Sequence, residues 1–204
     1  MGKSEDELAN SLIKSHKASQ QRVNETSPDS YDVRAYPEAH YNHYGNRGVA
    51  DLYVAVGDWD GDVYELKSES AVREVTGANA ILRQFNKMRE FFFPGSSHDP
   101  PTHSLRFELC FTPTEYNIRH LADNAGVYRS AVEQQISDVR TDKVLSTITM
   151  RPANPEEAKE SGSLTPVSWF TPSYSPYEED FVKHFKESQP DIFEEYADTI
   201  REVA

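Results

Sequence analysis

Asp51-Leu-Tyr-Val-Ala-Val56, then Gly57-Asp-Trp-Asp-Gly-Asp62, then Val63-Tyr-Glu-Leu-Lys67 is the stretch on which the fold turns. Two short runs rich in β-branched and aromatic residues flank a polar turn holding Gly57 and Gly61, the pattern of a β-hairpin. Side chains alternate faces along a strand, and directly opposed residues of an antiparallel pair share a face. Asp51, Tyr53 and Ala55 therefore fall on one face of the first strand, and Glu65 and Lys67 on one face of the second. A regular hairpin sets Asp51 opposite Glu65 or Lys67, so that two carboxylates and an ammonium cluster on rigid strands. Leu52, Val54, Val56, Tyr64 and Leu66 take the other face and can pack under a helix.

Outward from the hairpin, helical and strand patterns alternate. Residues 4–23 read as a helix, with Ser4 as N-cap, Glu7 at the capping-box position and Leu8, Leu12 and Ile13 as the apolar stripe. Residues 24–48, rich in Asn, Pro, Tyr, His and Gly, read as a loop holding at most a short strand. Val75, Ala78, Leu82, Phe85, Met88 and Phe92 recur at helical spacing and predict one long helix over 70–93, ended by Pro94 and Gly95. Residues 104–111 alternate as a strand, Thr114 to about Asp138 reads as helix, and Lys143–Met150 as another strand. Residues 151–177 read as a Pro- and Ser-rich loop, followed by helices near 177–187 and 190–203. This order predicts an α/β core, a central mixed sheet flanked by helices. It divides the chain into a core domain over 1–150 and a C-terminal extension over 151–204 packed on it.

Composition narrows the setting. The 204 residues suit one domain with appendages, and no apolar run is long enough to span a membrane. The polar N-terminus lacks a signal-peptide core, and one cysteine, Cys110, excludes an internal disulfide framework, so a cytoplasmic protein is expected. Asp and Glu number 34 against 21 Lys and Arg, a formal charge of −13 that at ordinary ionic strength disfavours nucleic acid. At about 1 M salt the Debye length is roughly 3 Å and that repulsion largely vanishes. Carboxylate-rich, lysine-poor composition fits a salt-adapted protein of a halophilic archaeal host or its virus, with a mesophilic acidic protein as the plainer alternative.

The clustered Asp51, Glu65 and Lys67 suit phosphodiester hydrolysis. Carboxylates are hard ligands for Mg²⁺ or Mn²⁺, which lowers the pKa of a bound water and neutralises charge developing on phosphate. A lysine on the same face orients or deprotonates the attacking water, or stabilises the transition state as a cation. The alternative for Glu65 and Lys67 is an exposed strand face with cross-strand ion pairs. Asn46-Arg-Gly-Val-Ala-Asp51-Leu-Tyr-Val54, Val63-Tyr-Glu65-Leu-Lys67 and the later Ile81-Leu-Arg-Gln84-Phe85 together resemble the PD-(D/E)xK nuclease superfamily. The pattern is most similar to virus-type replication-repair nucleases and archaeal Holliday-junction resolvases. The resemblance covers roughly residues 45–90, and Ala50 stands where a proline is usual.

That resemblance implies a restriction-endonuclease-like fold and cleavage of duplex or branched DNA to 5′-phosphate products. It implies Asp51, Glu65 and the backbone carbonyl of Leu66 as metal ligands, with Lys67 as water-positioning residue or general base. Gln84 would orient Lys67 or the phosphate, though a solvated helix position explains it equally well. An acid of the N-terminal helix often joins such a site; Glu7 is the first candidate, with Glu5 and Glu25 behind it. Many members are homodimers, because cutting two strands symmetrically takes two sites, a state that the strand pattern here does not require. A nuclease fold that has lost catalysis and serves as a DNA-binding or structural protein is the alternative function.

Weaker signals surround this core. Tyr31, Tyr36, Tyr41 and Tyr44 interleave with Arg34, His40, His43 and Arg47 in a stretch that either stacks on bases and grips phosphates or packs on the domain. Arg47 and Tyr44, with Arg73 and Arg83 on the following helix, are the nucleic-acid-binding candidates, and Lys87 and Arg89 extend the basic strip. Asp58-Trp-Asp60-Gly61-Asp62 places its glycine wrongly for a calcium loop, and His40, His43, His98 and His103 lack the partners of a zinc site.

Overall fold

A computed structural model describes residues 5–26, 31–57, 60–92, 104–112, 114–133, 143–150 and 167–170. Helix α1 (Glu5–Thr26) leads into strands β1 (Val33–His43), β2 (Asn46–Val56) and β3 (Asp60–Lys67). Helices α2 (Glu69–Glu74) and α3 (Ala78–Phe91) precede β4 (Ser104–Phe111), and α4 (Glu115–Asp123) and α5 (Ala125–Glu133) precede β5 (Lys143–Met150) and β6 (Val167–Phe170). The six strands form one sheet in chain order. Pairs β1–β2, β2–β3 and β5–β6 are antiparallel, while β3–β4 and β4–β5 are parallel. Each parallel step is bridged by a helix pair, as a crossover connection requires. The mixed α/β sheet flanked by helices is the restriction-endonuclease-like architecture that the sequence predicts.

Four local readings are corrected. The stretch read as a loop over 24–48 holds an eleven-residue strand, β1, paired with β2 along almost its whole length. The single helix over 70–93 is two helices, separated where Gly77 turns to φ +84° as the N-cap of α3. The helix expected from Thr114 divides into α4 and α5. The sheet also continues past residue 150, because β6 lies within the span read as loop. The Ser4 cap, Pro94 and Gly95, and the helices near 177–187 and 190–203 lie outside the described residues.

Both faces of the sheet are covered. On one, α3 sets Ile81, Phe85, Met88 and Phe92 against Tyr41, Tyr53, Val63 and Phe107. Arg89, itself buried, clips α3 to α5 by donating to the Ala131 carbonyl at 2.8 Å. Burial lowers its pKa to about 10, and its place is structural, outside the basic strip expected from sequence. On the other face α1 lays Leu8 and Leu12 on Leu52, Val54, Tyr64 and Leu66, the set that strand alternation assigns to that side. Beside these, His16 shares a hydrogen bond of 2.7 Å with the Tyr64 hydroxyl, and Arg106 clasps Asp62 with two donors at 2.5 and 2.8 Å.

Candidate active site

The β2–β3 ladder closes at Leu52↔Tyr64, although β2 begins six residues earlier and β3 runs three residues further. From Asp51 towards Asn46, β2 pairs with β1 alone, so the two strands part at Asp51. The parting leaves the Leu66 N–H without a ladder partner, and the Asp51 carboxylate takes it, accepting at 2.6 Å. Strand parity changes here too, since Ala50, Tyr53 and Ala55 all join the core under α3. Glu38, opposite Asp51 in β1, marks the same irregularity with a left-handed φ of +49°. Continuing the register by one step sets Asp51 across from Glu65, one of the two pairings that sequence allows.

Glu65 and Lys67 end β3 on the same side. Lys67 Nζ donates to Glu65 Oε1 at 2.6 Å, and the two side chains are 7% and 1% exposed. That rules out the exposed strand face offered as the plainer reading. The second oxygen, Glu65 Oε2, is buried with no hydrogen-bond partner among the described residues. Burial, reinforced by the charge of Asp51, pushes the Glu65 carboxyl up from 4.5 to about 7 against the opposing pull of Lys67. Burial likewise raises Asp51, offset by the Leu66 N–H and Lys67. Tyr41, buried under the arm that β1 and β2 form, is raised by burial and by the neighbouring Glu65. Desolvation of two adjacent carboxylates is unfavourable unless a cation offsets it.

From the N-terminal helix the acid that reaches the end of β3 is Glu5, the second candidate of the sequence. Glu5 Oε1 accepts from the Ser68 amide at 3.2 Å and its hydroxyl at 3.3 Å, directly after Lys67. Glu7 is exposed; two residues on in a helix it points roughly 200° away. Glu25 lies at the far end of the same helix, also exposed. Beyond the strand end, the Thr112 amide donates to the Lys67 carbonyl at 3.1 Å, and buried Asn117 holds Thr112 through its carbonyl and hydroxyl at 3.0 and 3.1 Å. Ser68, Thr112 and Asn117 thus fix the backbone that carries Lys67. Sequence spacing does not reveal Thr112 and Asn117, because parallel strand pairing, not nearness in the chain, brings them to the site.

A family model of the PD-(D/E)XK nuclease superfamily domain matches residues 3–164, most of the 204-residue chain. The chain belongs to the PD-(D/E)XK nuclease superfamily. Comparison with curated proteins and with solved structures gives no match. Superfamily nucleases act on nucleic acid and typically use divalent metal ions. Among the described residues no three His, Cys, Asp or Glu side chains stand close enough to form a ready cation cage. The donors in place are the carboxylates of Asp51 and Glu65, and the unpartnered buried oxygen of Glu65 fits a hard cation that keeps several waters.

The remaining candidates of this nuclease domain separate. Gln84 is exposed on α3 and makes no hydrogen bond among the described residues. Arg73 is drawn aside, paired with Glu69 at 2.8 Å and stacked 3.9 Å over the Tyr116 ring. Tyr44 and Arg47 are exposed at the tip of the β1–β2 arm, and Arg83 is exposed on α3. No helix of the described residues is long and apolar enough to cross a membrane.

Proposed function

We propose that this nuclease is a metal-dependent endonuclease that hydrolyses DNA phosphodiester bonds, with Asp51, Glu65 and Lys67 as its catalytic residues. The observation that carries this reading is the buried Glu65 oxygen left unpartnered beside Asp51 where β2 and β3 part. Asp51, Glu65 and the Leu66 carbonyl would hold Mg²⁺ or Mn²⁺, with Glu5 replacing Glu7 as the outer acid of the set. The ion, when bound, supplies charge neutralisation at the phosphate and a lowered water pKa. Lys67 orients the attacking water and places a positive charge against the developing phosphorane. Its pairing with Glu65 holds the ammonium on the reacting face, while Ser68 and Thr112 fix its backbone. Gln84 is proposed as a phosphate-side contact made only with substrate bound.

The test is incubation with supercoiled, single-stranded and branched DNA in high salt with Mg²⁺, Mn²⁺ or EDTA. Cleavage is expected with either metal and none with EDTA. Asp51→Asn and Lys67→Ala are expected to lower the rate by at least about 100-fold, the scale of a lost acid–base or metal contribution. Full activity in either variant, or no metal-dependent cleavage of any substrate, overturns the catalytic reading. Retained DNA binding without cleavage or metal uptake would identify a binding protein on a nuclease fold.

A further inference from the structure

A groove of about 980 Å³ runs between the outer face of α3, α5 and the start of β2. Its walls carry two cations, Arg83 and Lys87, and three carboxamides, Asn46, Asn79 and Asn86, with Phe91 among its apolar lining. Glu90 is the one acid on the lining. In a chain of charge −13 this local excess of positive charge stands out against the composition. Among the described residues neither Arg83 nor Lys87 is engaged in an ion pair or hydrogen bond, whereas Arg73, Arg89 and Arg106 are all committed. Asn46 and Asn79 offer both donors and acceptors, and Asn86, whose Oδ1 accepts from Arg89 at 3.1 Å, adds its amide donors, the chemistry that meets base edges, while the cations suit phosphates.

Position links this groove to the scissile site. Asn46 opens the strand that carries Asp51, and five residues of extended chain span about 17 Å. Arg47 follows Asn46 on the way to Asp51, and the 94%-exposed Tyr44 stands in the turn at the tip of the arm. A volume of this size lies at the upper end of small-ligand pockets. It has room for a short run of unpaired nucleotides and not for a duplex.

We infer that the α3–α5 groove is a subsite for single-stranded nucleic acid, holding the strand that leads away from the scissile phosphate. Its choice of ligand rests on the nuclease reading. Arg83 and Lys87 contact phosphates, the three asparagines face bases, and Phe91 supplies an apolar floor. The substrate class is therefore a junction between duplex and single strand, or a free single strand, rather than unbroken duplex.

Binding and catalysis separate in the test. Fluorescence anisotropy of a labelled oligothymidylate is measured on the full chain in EDTA across a salt series, for wild type and for Arg83→Gln combined with Lys87→Gln. Both side chains are exposed, so the fold is retained. Each lost phosphate contact lowers the slope of log K against log salt by about 0.7 for a single strand, so the double variant loses about 1.4. Affinity at low salt is expected to fall by about tenfold or more. Hydrolysis of thymidine 5′-p-nitrophenyl phosphate by wild type with Mg²⁺ reads the scissile site alone, because this diester is too small to reach the groove. An unaltered slope and affinity, no binding by wild type, or equal competition by a duplex of the same length overturns the groove assignment. Binding that the variant loses, with no hydrolysis of any diester by wild type, leaves the groove standing and overturns the nuclease reading instead.

Discussion

Glu65 is buried beside Asp51, with the Lys67 ammonium against one of its oxygens. Folding raises its carboxyl from 4.5 to about 7, chiefly by burial. A raised carboxyl favours the protonated folded form, so its contribution to stability is fully present below about pH 4.5 and lost as pH rises through 7. A shift of this size corresponds to about 3 kcal/mol. Melting in EDTA should therefore fall from pH 4.5 to 8 more steeply in wild type than in Glu65→Gln, and identical slopes would show the carboxyl to be solvated. Glu5 supplies the companion prediction: Glu5→Gln should slow cleavage by about tenfold or more, and Glu7→Gln should leave it near wild type, measured as kcat on the same DNA. Glu65 and Lys67 share a side as strand alternation, with its period of two, predicts, whereas Asp51 meets them where the strand parity breaks, which alternation does not foretell. That Glu5 rather than Glu7 lies against Ser68 was not legible, since it needs the docking phase of α1, which Leu8 and Leu12 set only against the folded sheet.

At the scale of elements, β4 and β5 fall on the residues that alternation marks, and α1 on most of its predicted span. β1 was hidden by its composition. Pro37 has no N–H to donate, which an edge strand tolerates, and β1 is the first strand of the sheet. The break between α2 and α3 was hidden for the opposite reason: the apolar spacing of Val75, Ala78 and Leu82 continues across Gly77. The arm of β1 and β2 depends on a close approach of Tyr41 to Gly48, where any Cβ would overlap the tyrosine ring and hydroxyl. Gly48→Ala should destabilise the protein by about 1–3 kcal/mol in urea unfolding, the cost of overpacking. It should also reduce cleavage, because Tyr41 neighbours Glu65. A variant of unchanged stability would mean that the arm yields freely.

For the whole molecule, a formal charge of −13 opposes both compactness and approach to DNA in dilute buffer. Melting temperature and cleavage rate should both rise between about 0.1 and 1 M KCl, where screening shortens to roughly 3 Å. A rate that falls steadily over that range would place the protein in an ordinary ionic setting. The superfamily and the mixed α/β class were legible, the first from one local motif and the second from the order of its elements. The groove was not, since its lining joins residues 46, 79–91 and 126–131, which only the packing of α3 on α5 brings together. The docking of α1 has one more consequence. Of its 22 residues only Leu8, Ser11 and Leu12 are buried, so this helix is poised to open locally at a lower free energy than the sheet beneath it. Its departure would carry Glu5 away from Ser68 while the six strands stay paired. Warming should therefore extinguish cleavage several degrees before the sheet melts, and amides of α1 should exchange with deuterium well ahead of those in β3 and β4.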